Sequence, residues 1–290
     1  MQATVPAKPT FSAASYLQVA PLLLVLLAFF GIPLLMIVGV SFFEFDGISS
    51  VPAFQFGNYT DLFSSRNTLT LYLKTVEYAL IVWAITLAVG FTVSYFLAFH
   101  VRSLLWQMAL FLLCTVPFWT SNIIRMISWI PFLGRNGIFN QALMATGLTH
   151  EPLEFLLFSD FAVIIAYVHL FTLFMIVPIF NSMMRIDRSL LEAASDSGAS
   201  GWQTLWNVIV PLSRTGILIG SIFVITIVMG DFVTIGVMGG QQIASVGKII
   251  QVQTSYLQFP LAAANAMILL AVVLMIIWGL TRLVDIRKEL

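Results

Sequence analysis

Long apolar runs alternate with short polar connections along nearly the whole chain. A membrane-spanning helix needs about 20 apolar residues. The runs that meet or approach this length are Tyr16–Phe43, Tyr78–Phe99, Leu104–Ile124, Phe161–Met184, Thr215–Met238 and Pro260–Leu280. The pattern therefore predicts an all-α polytopic membrane protein of about six spans. The first run is too long for a signal peptide and lacks a small-residue cleavage site, so it is expected to be retained. Pro33, Pro117 and Pro178 lie inside spans, where neighbouring helices can satisfy the carbonyls they free. Asp231 interrupts the fifth.

Composition agrees with the pattern. The chain is 60% hydrophobic and only 9% charged, against about 25% charged in a typical soluble domain. Its net charge of zero gives no basic patch for nucleic acid. The single cysteine, Cys114, lies in an apolar run and reads as a packed thiol. Charge does orient the chain. Lys8, Arg102, Arg185, Arg188, Arg214, Arg282, Arg287 and Lys288 fall on one side, whereas Arg66, Lys74, Arg125, Arg135 and Lys248 are spread over longer segments on the other. The positive-inside rule places the first set in the cytoplasm. Residues 1–15 and 285–290 are then cytoplasmic tails around a permeation domain over 16–284. Glu44–Lys74 and Arg125–Asp160 become outer connections, the second containing a short helix on or dipping into the interface.

One cytoplasmic stretch, Ser189–Ser213, is polar where its flanks are oily. Ser189-Leu-Leu-Glu192 reads as a capping box that starts a helix at Leu190, and Gly198 as its left-handed end. Ser200-Gly-Trp-Gln203 reads as a second box, opening an interfacial helix with Trp202, Leu205, Trp206 and Ile209 on one face. Pro211 marks a turn into the fifth span. Glu192 and Asp196 share a face, and the small Ala193, Ala194 and Ala199 leave room for another surface.

These residues, Glu192-Ala193-Ala194, then Gly198, then Val208-Ile209-Val210-Pro211, resemble the EAA loop of binding-protein-dependent ABC importer permeases. Val208 and Val210 stand where the family pattern has Ile and Leu. "PFWTSNIIR" (Pro117–Arg125), "LLEAASDSGAS" and "VMGG" before "GKIIQVQ" extend the resemblance, from about Tyr78 onward, to the spermidine/putrescine-type permeases. The resemblance implies a type I ABC importer permease fold, with segment 189–211 forming a coupling helix that docks on an ATP-binding subunit through Glu192, Ala193, Ala194, Asp196, Gly198 and Pro211. It also implies a second, homologous permease subunit, an extracytoplasmic solute-binding protein and a bacterial inner-membrane location. No phosphate-binding G-x-x-x-x-G-K-[ST] loop occurs, so no cofactor is expected on this chain, and ATP and Mg belong on the partner ATPase.

Competing chemistries find less support. Gly198-Ala199-Ser200-Gly201 has the form of a rhomboid protease serine string, but His100, His150 and His169 all precede it. His150-Glu151 is followed by Pro152, with no histidine at zinc-motif spacing. His169 is expected to hydrogen-bond between helices. A secondary transporter needs paired intramembrane ionisable groups, and only Asp231, Glu77 and Arg125 lie in or beside spans. For a polyamine, Asp231 with Phe118, Trp119 and Trp129 offers a carboxylate and aromatic faces to an ammonium group, and Glu77 is a further pathway candidate. Asp231 capping or pairing with a neighbouring helix is the alternative, and an opine, a phosphonate or another small solute is the alternative cargo.

Overall fold

The computed structural model describes residues 13–283. The first span is built from α1 (Ala13–Leu26), a wider i→i−5 turn over Leu27–Gly31, and α2 (Ile32–Val40). A two-residue hairpin follows, β1 (Glu44–Phe45) antiparallel to β2 (Ser50–Val51), with Glu44 opposite Val51. After α3 (Gly57–Ser64) comes the long α4 (Arg66–Tyr95), ending in another wide turn at Phe96–His100. Next are α5 (Leu104–Thr115), α6 (Asn122–Leu133), α7 (Ile138–Ala145) and α8 (Asp160–Met183). The short α9 (Arg188–Asp196) leads to α10 (Gly201–Thr204) and α11 (Val210–Gly230), then α12 (Val233–Met238), α13 (Val246–Ser255) and α14 (Phe259–Leu283). Among the described residues, five helices are long and apolar enough to cross a membrane, and six if the bent α5–α7 segment counts as one.

The core is α4, α8 and α11. Tyr78, Val82, Ala166, Met175, Ile179, Val224 and Val228 are buried between them. Small residues let the backbones approach, as is usual where helices pack in lipid. A Cβ on Gly216 would stand 2.4 Å from the Pro178 carbonyl oxygen, and one on Gly90 2.8 Å from Met175. Two hydrogen bonds cross the core: Trp83 Nε1 donates to Ser221 Oγ at 2.8 Å and Ser94 Oγ to the Ile176 carbonyl at 3.1 Å. At one end, Asp160 accepts from Lys74 Nζ at 2.8 Å and from the Tyr78 hydroxyl at 2.6 Å, tying α4 to α8. The first span stands apart: no residue of Gln18–Val40 is fully buried, and α2 rests against α14.

Four expectations are corrected. The second span begins at Arg66, not Tyr78, because Ser65 caps it by accepting from the Thr68 N–H. Lys74 and Glu77 therefore lie within a helix. The third span does not continue from Leu104 to Ile124. Pro117 cannot donate a backbone hydrogen bond; the helix tightens over Val116–Trp119, Thr120 and Ser121 are extended, and α6 departs at 88°. The fifth span ends at Gly230 rather than Met238. Pro211 makes no turn: residues Gly201–Gly230 form one helix. The wide turn at Leu205–Ile209, where the Val210 N–H reaches back to the Leu205 carbonyl, adds the room that the proline ring needs.

Candidate functional site

The polar stretch folds into a rigid corner. Its first helix, α9, starts at Arg188 rather than Leu190. Asp187, not Ser189, is the cap: its carboxylate accepts the Ser189 N–H at 3.0 Å. That bond holds the Asp187 carboxyl below the usual carboxylate range. Glu192 thus belongs to no capping box. Asp and Ser are both good caps, and the structure takes the one that adds residues to the helix. The far end is as expected. Gly198 has φ +79°, the Ala199 N–H bonds to the Ala194 carbonyl at 3.0 Å and the Gly198 N–H to the Ser195 carbonyl at 2.9 Å. This paired closure needs a left-handed residue, which glycine supplies without strain.

The second box forms as expected: Ser200 Oγ accepts the Gln203 N–H, and Gln203 Oε1 accepts the Ser200 N–H at 2.8 Å. Its apolar stripe splits. Ile209 is buried and Leu205 packs on the core, but Trp202 and Trp206 are exposed and meet edge to face at 5.6 Å. Glu192, Ala193, Asp196 and Gly198 are exposed on one corner, Ala194 is half-buried, and Pro211 is exposed on the helix behind it. The outer face of the corner is therefore open, while Leu191 and Leu205 anchor its inner face on the core and α10 runs on into α11 as continuous helix.

A groove runs from this corner between α8 and α11. Its α9 end widens into a cavity of about 860 Å³, lined by residues including Pro178, Asn181, Ser182, Arg185, Asp187 and Phe223. Further along, Phe174 joins Phe223 at 6.2 Å and Phe118 at 5.2 Å. Beyond these, Trp129 Nε1 donates to His169 Nδ1 at 3.0 Å, the interhelical bond expected of His169.

Of the expected pathway residues, the structure gathers Phe118 and Trp129 near this groove. Trp119 is 87% exposed at the α5–α6 break. Glu77 is exposed on the face of α4 opposite the buried Thr75, Tyr78 and Val82, away from α8 and α11. Asp231 is half-buried at the end of α11 remote from α9, and its Oδ1 accepts the Thr234 N–H at 2.7 Å. It therefore does cap the next helix. Residues missed by sequence reasoning are Asp187, Asn181, Phe174 and Phe223. Only Asp187 carried a local signal, as a good cap two residues ahead of the serine preferred. The others are ordinary span residues until α8 and α11 are set side by side.

Residues 101–286 match the family described as the binding-protein-dependent transport system inner membrane component. The chain is similar to the spermidine/putrescine transport system permease protein PotB of Escherichia coli (strain K12), 36% identical over 273 residues, covering 91% of this chain and 97% of the relative. It is also similar to the protein of that name from Haemophilus influenzae, 35% identical over 230 residues and covering 78% of each. Among solved structures, a chain of a bacterial alginate ABC transporter, in complex with an alginate pentasaccharide-bound periplasmic protein, superposes with a TM-score of 0.74 at 17% identity. That match covers 92% of both chains and speaks to the fold alone.

Proposed function

The chain belongs to the family of binding-protein-dependent transport system inner membrane components, and on that premise we propose that it is the permease subunit of an ATP-driven polyamine importer. It is a multi-pass inner-membrane permease of the ABC importer class, not an enzyme. The named cargo of its PotB relatives, at 36% identity over 91% of the chain, supports spermidine or putrescine as solute. The single observation that carries the mechanism is the exposed, capped corner of α9 and α10, whose second helix runs unbroken into the core helix α11.

In this reading the corner seats on a separate ATP-binding subunit, which carries ATP and Mg. Glu192, Ala193 and Asp196 are the exposed contacts, Gly198 holds the bend, and Pro211 sets the angle of the lever. Closure of the ATPase then moves the corner as a unit and, through the unbroken helix of α10 and α11, rocks the spans between outward and inward openings in an alternating-access cycle. A second permease subunit faces the α8–α11 groove and completes a passage between them. An external binding protein delivers the solute, and both termini are cytoplasmic. Along the groove, Phe118, Phe174, Phe223 and Trp129 offer aromatic faces to an alkyl-ammonium chain, with Asp231 as a carboxylate at the entry end; Glu77 and Trp119 are the remaining pathway candidates.

The test is reconstitution. The chain is co-expressed with its neighbouring transporter subunits, purified and placed in vesicles with the binding protein outside and ATP inside. ATP-dependent, saturable accumulation of labelled spermidine or putrescine is the expected result. Vesicles that hydrolyse ATP on addition of loaded binding protein yet accumulate neither polyamine would overturn the cargo assignment.

A further inference from the structure

Buried polar groups normally find partners, so those that do not are informative. Arg125 is 7% exposed. Its guanidinium meets the Asn122 side-chain oxygen and the Phe118 ring, 6.0 Å away, but its buried Nε has no hydrogen-bond partner. The ion pairs among the described residues are Lys74–Asp160 and Arg135–Glu154, so Arg125 has no carboxylate. The fully buried hydroxyl of Tyr167 on α8 is also without a partner. Asp231 is the complement: a half-buried carboxylate with no cation, its Oδ1 engaged by a backbone N–H.

Topology brings these groups to one junction. Helices α6 and α12 pack on each other and both pack on α8. Their far ends arrive at adjacent residues of one segment: Gly134, after α6, faces the Leu157 side chain, and Gly240, beyond α12, faces the Phe158 ring. Arg125, in the first turn of α6, and Asp231, just ahead of α12, are each nine residues back from those glycines, which sets them at a similar level along α8. Both near ends are breaks in a span, extended at Thr120 and Ser121 in one and at Asp231 in the other. Extended residues at element ends are where large dihedral changes are absorbed.

We infer that Arg125 and Asp231 form an ion pair in the transport state opposite to this one, with the Tyr167 hydroxyl donating to the same carboxylate. A lone charge in lipid is expensive, and pairing it in only one state biases the equilibrium toward that state. In this state the carboxylate instead caps α12, so moving from one partner to the other couples the break in the fifth span to that in the third. A cationic solute near Asp231 competes with Arg125 for the carboxylate, which ties passage of the solute to the switch. The inference rests on the ATPase-driven switching proposed above, but not on the identity of the solute.

The experiment uses the assembled transporter in nanodiscs. The pair Arg125→Cys and Asp231→Cys, in a Cys114→Ala background, is treated with a short thiol cross-linker in the nucleotide-free and vanadate-trapped states. A severalfold difference in cross-linking yield between the states is expected; equal yields overturn the inference. As a second measurement, Arg125→Gln, Asp231→Asn and the double variant are compared for ATP-driven uptake, with co-purification of the other subunits reporting assembly. The double variant should be no slower than the worse single one, as expected for partners in one interaction. Independent, multiplying losses count against the pair. So does coupling of Asp231 to Lys248→Gln instead, since Lys248 Nζ also lies against α12, beside Gly236. Cross-linking needs no polyamine, so a wild-type transporter that ignores polyamines would sink the cargo assignment while leaving the ion pair to be judged by its own data.

Discussion

Two glycines show how one missing methyl group acts through different physics. At Gly216 the obstacle is space, since the added Cβ would collide with the Pro178 carbonyl in the α8–α11 crossing. Gly216→Ala should lower the thermal stability of the detergent-solubilised protein, by about 1–3 kcal/mol for overpacking. Gly279→Ala, with nothing within 4 Å of the new methyl group, should leave the melting temperature unchanged or raise it slightly, because alanine favours helix. At Gly198 the space is open and the obstacle is φ +79°. Gly198→Val must strain or abandon the left-handed turn, a cost of about 1–2 kcal/mol. The spans should still insert, but stimulation of ATP hydrolysis by loaded binding protein should fall. Normal stimulation in that variant would remove the corner from the coupling mechanism.

At the scale of an element, α9 depends on its Asp187 cap. Asp187→Ala removes the acceptor for the Ser189 N–H and should fray the first turn, seen as faster amide exchange at Ser189 and Leu190 and slower uptake. Asp187→Asn keeps an oxygen in place and should restore both. The pH dependence follows in sign. The carboxyl is depressed in the folded state, so its stabilisation is fully present above the unfolded value, about 3.9, and is lost as pH falls through the lower folded value. Amide exchange in α9, corrected for intrinsic rates, should therefore be flat from neutral to mildly acidic pH and rise only in stronger acid, and that rise should be absent in Asp187→Asn. The wide turn before Pro211 is a further feature of this element. It lets one helix run from the exposed corner into the core, so a displacement of α10 reaches α11 along unbroken helix, and α9 is joined to α10 only through the closed turn at Gly198.

For the whole molecule, orientation is the property on which the mechanism depends. The corner can meet a cytoplasmic ATPase only if the Lys/Arg asymmetry is obeyed. Single cysteines at Ser200 and Ser64, both exposed, in a Cys114→Ala background report this directly. An impermeant thiol reagent, applied to cells whose outer membrane has been opened, should label Ser64→Cys and spare Ser200→Cys until the inner membrane is breached. The reverse pattern would turn the molecule over and sink the ATPase-docking assignment. Residues 1–12 and 284–290 lie outside the described residues, and with them the expected C-terminal tail and most of the N-terminal one, of which Ala13, Ala14 and Ser15 belong to α1.

Local chemistry was legible wherever a short segment decides its own conformation. Hydrophobic run length predicted the helical class and the rough place of most spans, Ser200 and Gln203 their capping box, and Gly198 its left-handed turn, because each is decided within its own segment. The same locality misled where neighbours compete. Ser189 and Asp187 are both competent caps, and the choice between them is a small energy difference that sequence inspection does not resolve. Pro117 and Pro211 carry the same chemistry, yet one accompanies an 88° break and the other sits in an uninterrupted helix. A proline removes one hydrogen bond in either case, and what replaces that bond is set by the surrounding packing. The passage residues belong wholly to that second category. Phe174 and Phe223 are 49 positions apart in the sequence and become one aromatic wall only when Gly216 and Gly220 let α11 close onto α8. Likewise, Arg125 and Asp231 read as isolated charges along the chain, and only the packing of α6 and α12 on each other and on α8 relates the two elements that carry them, because helices far apart in sequence become neighbours in space.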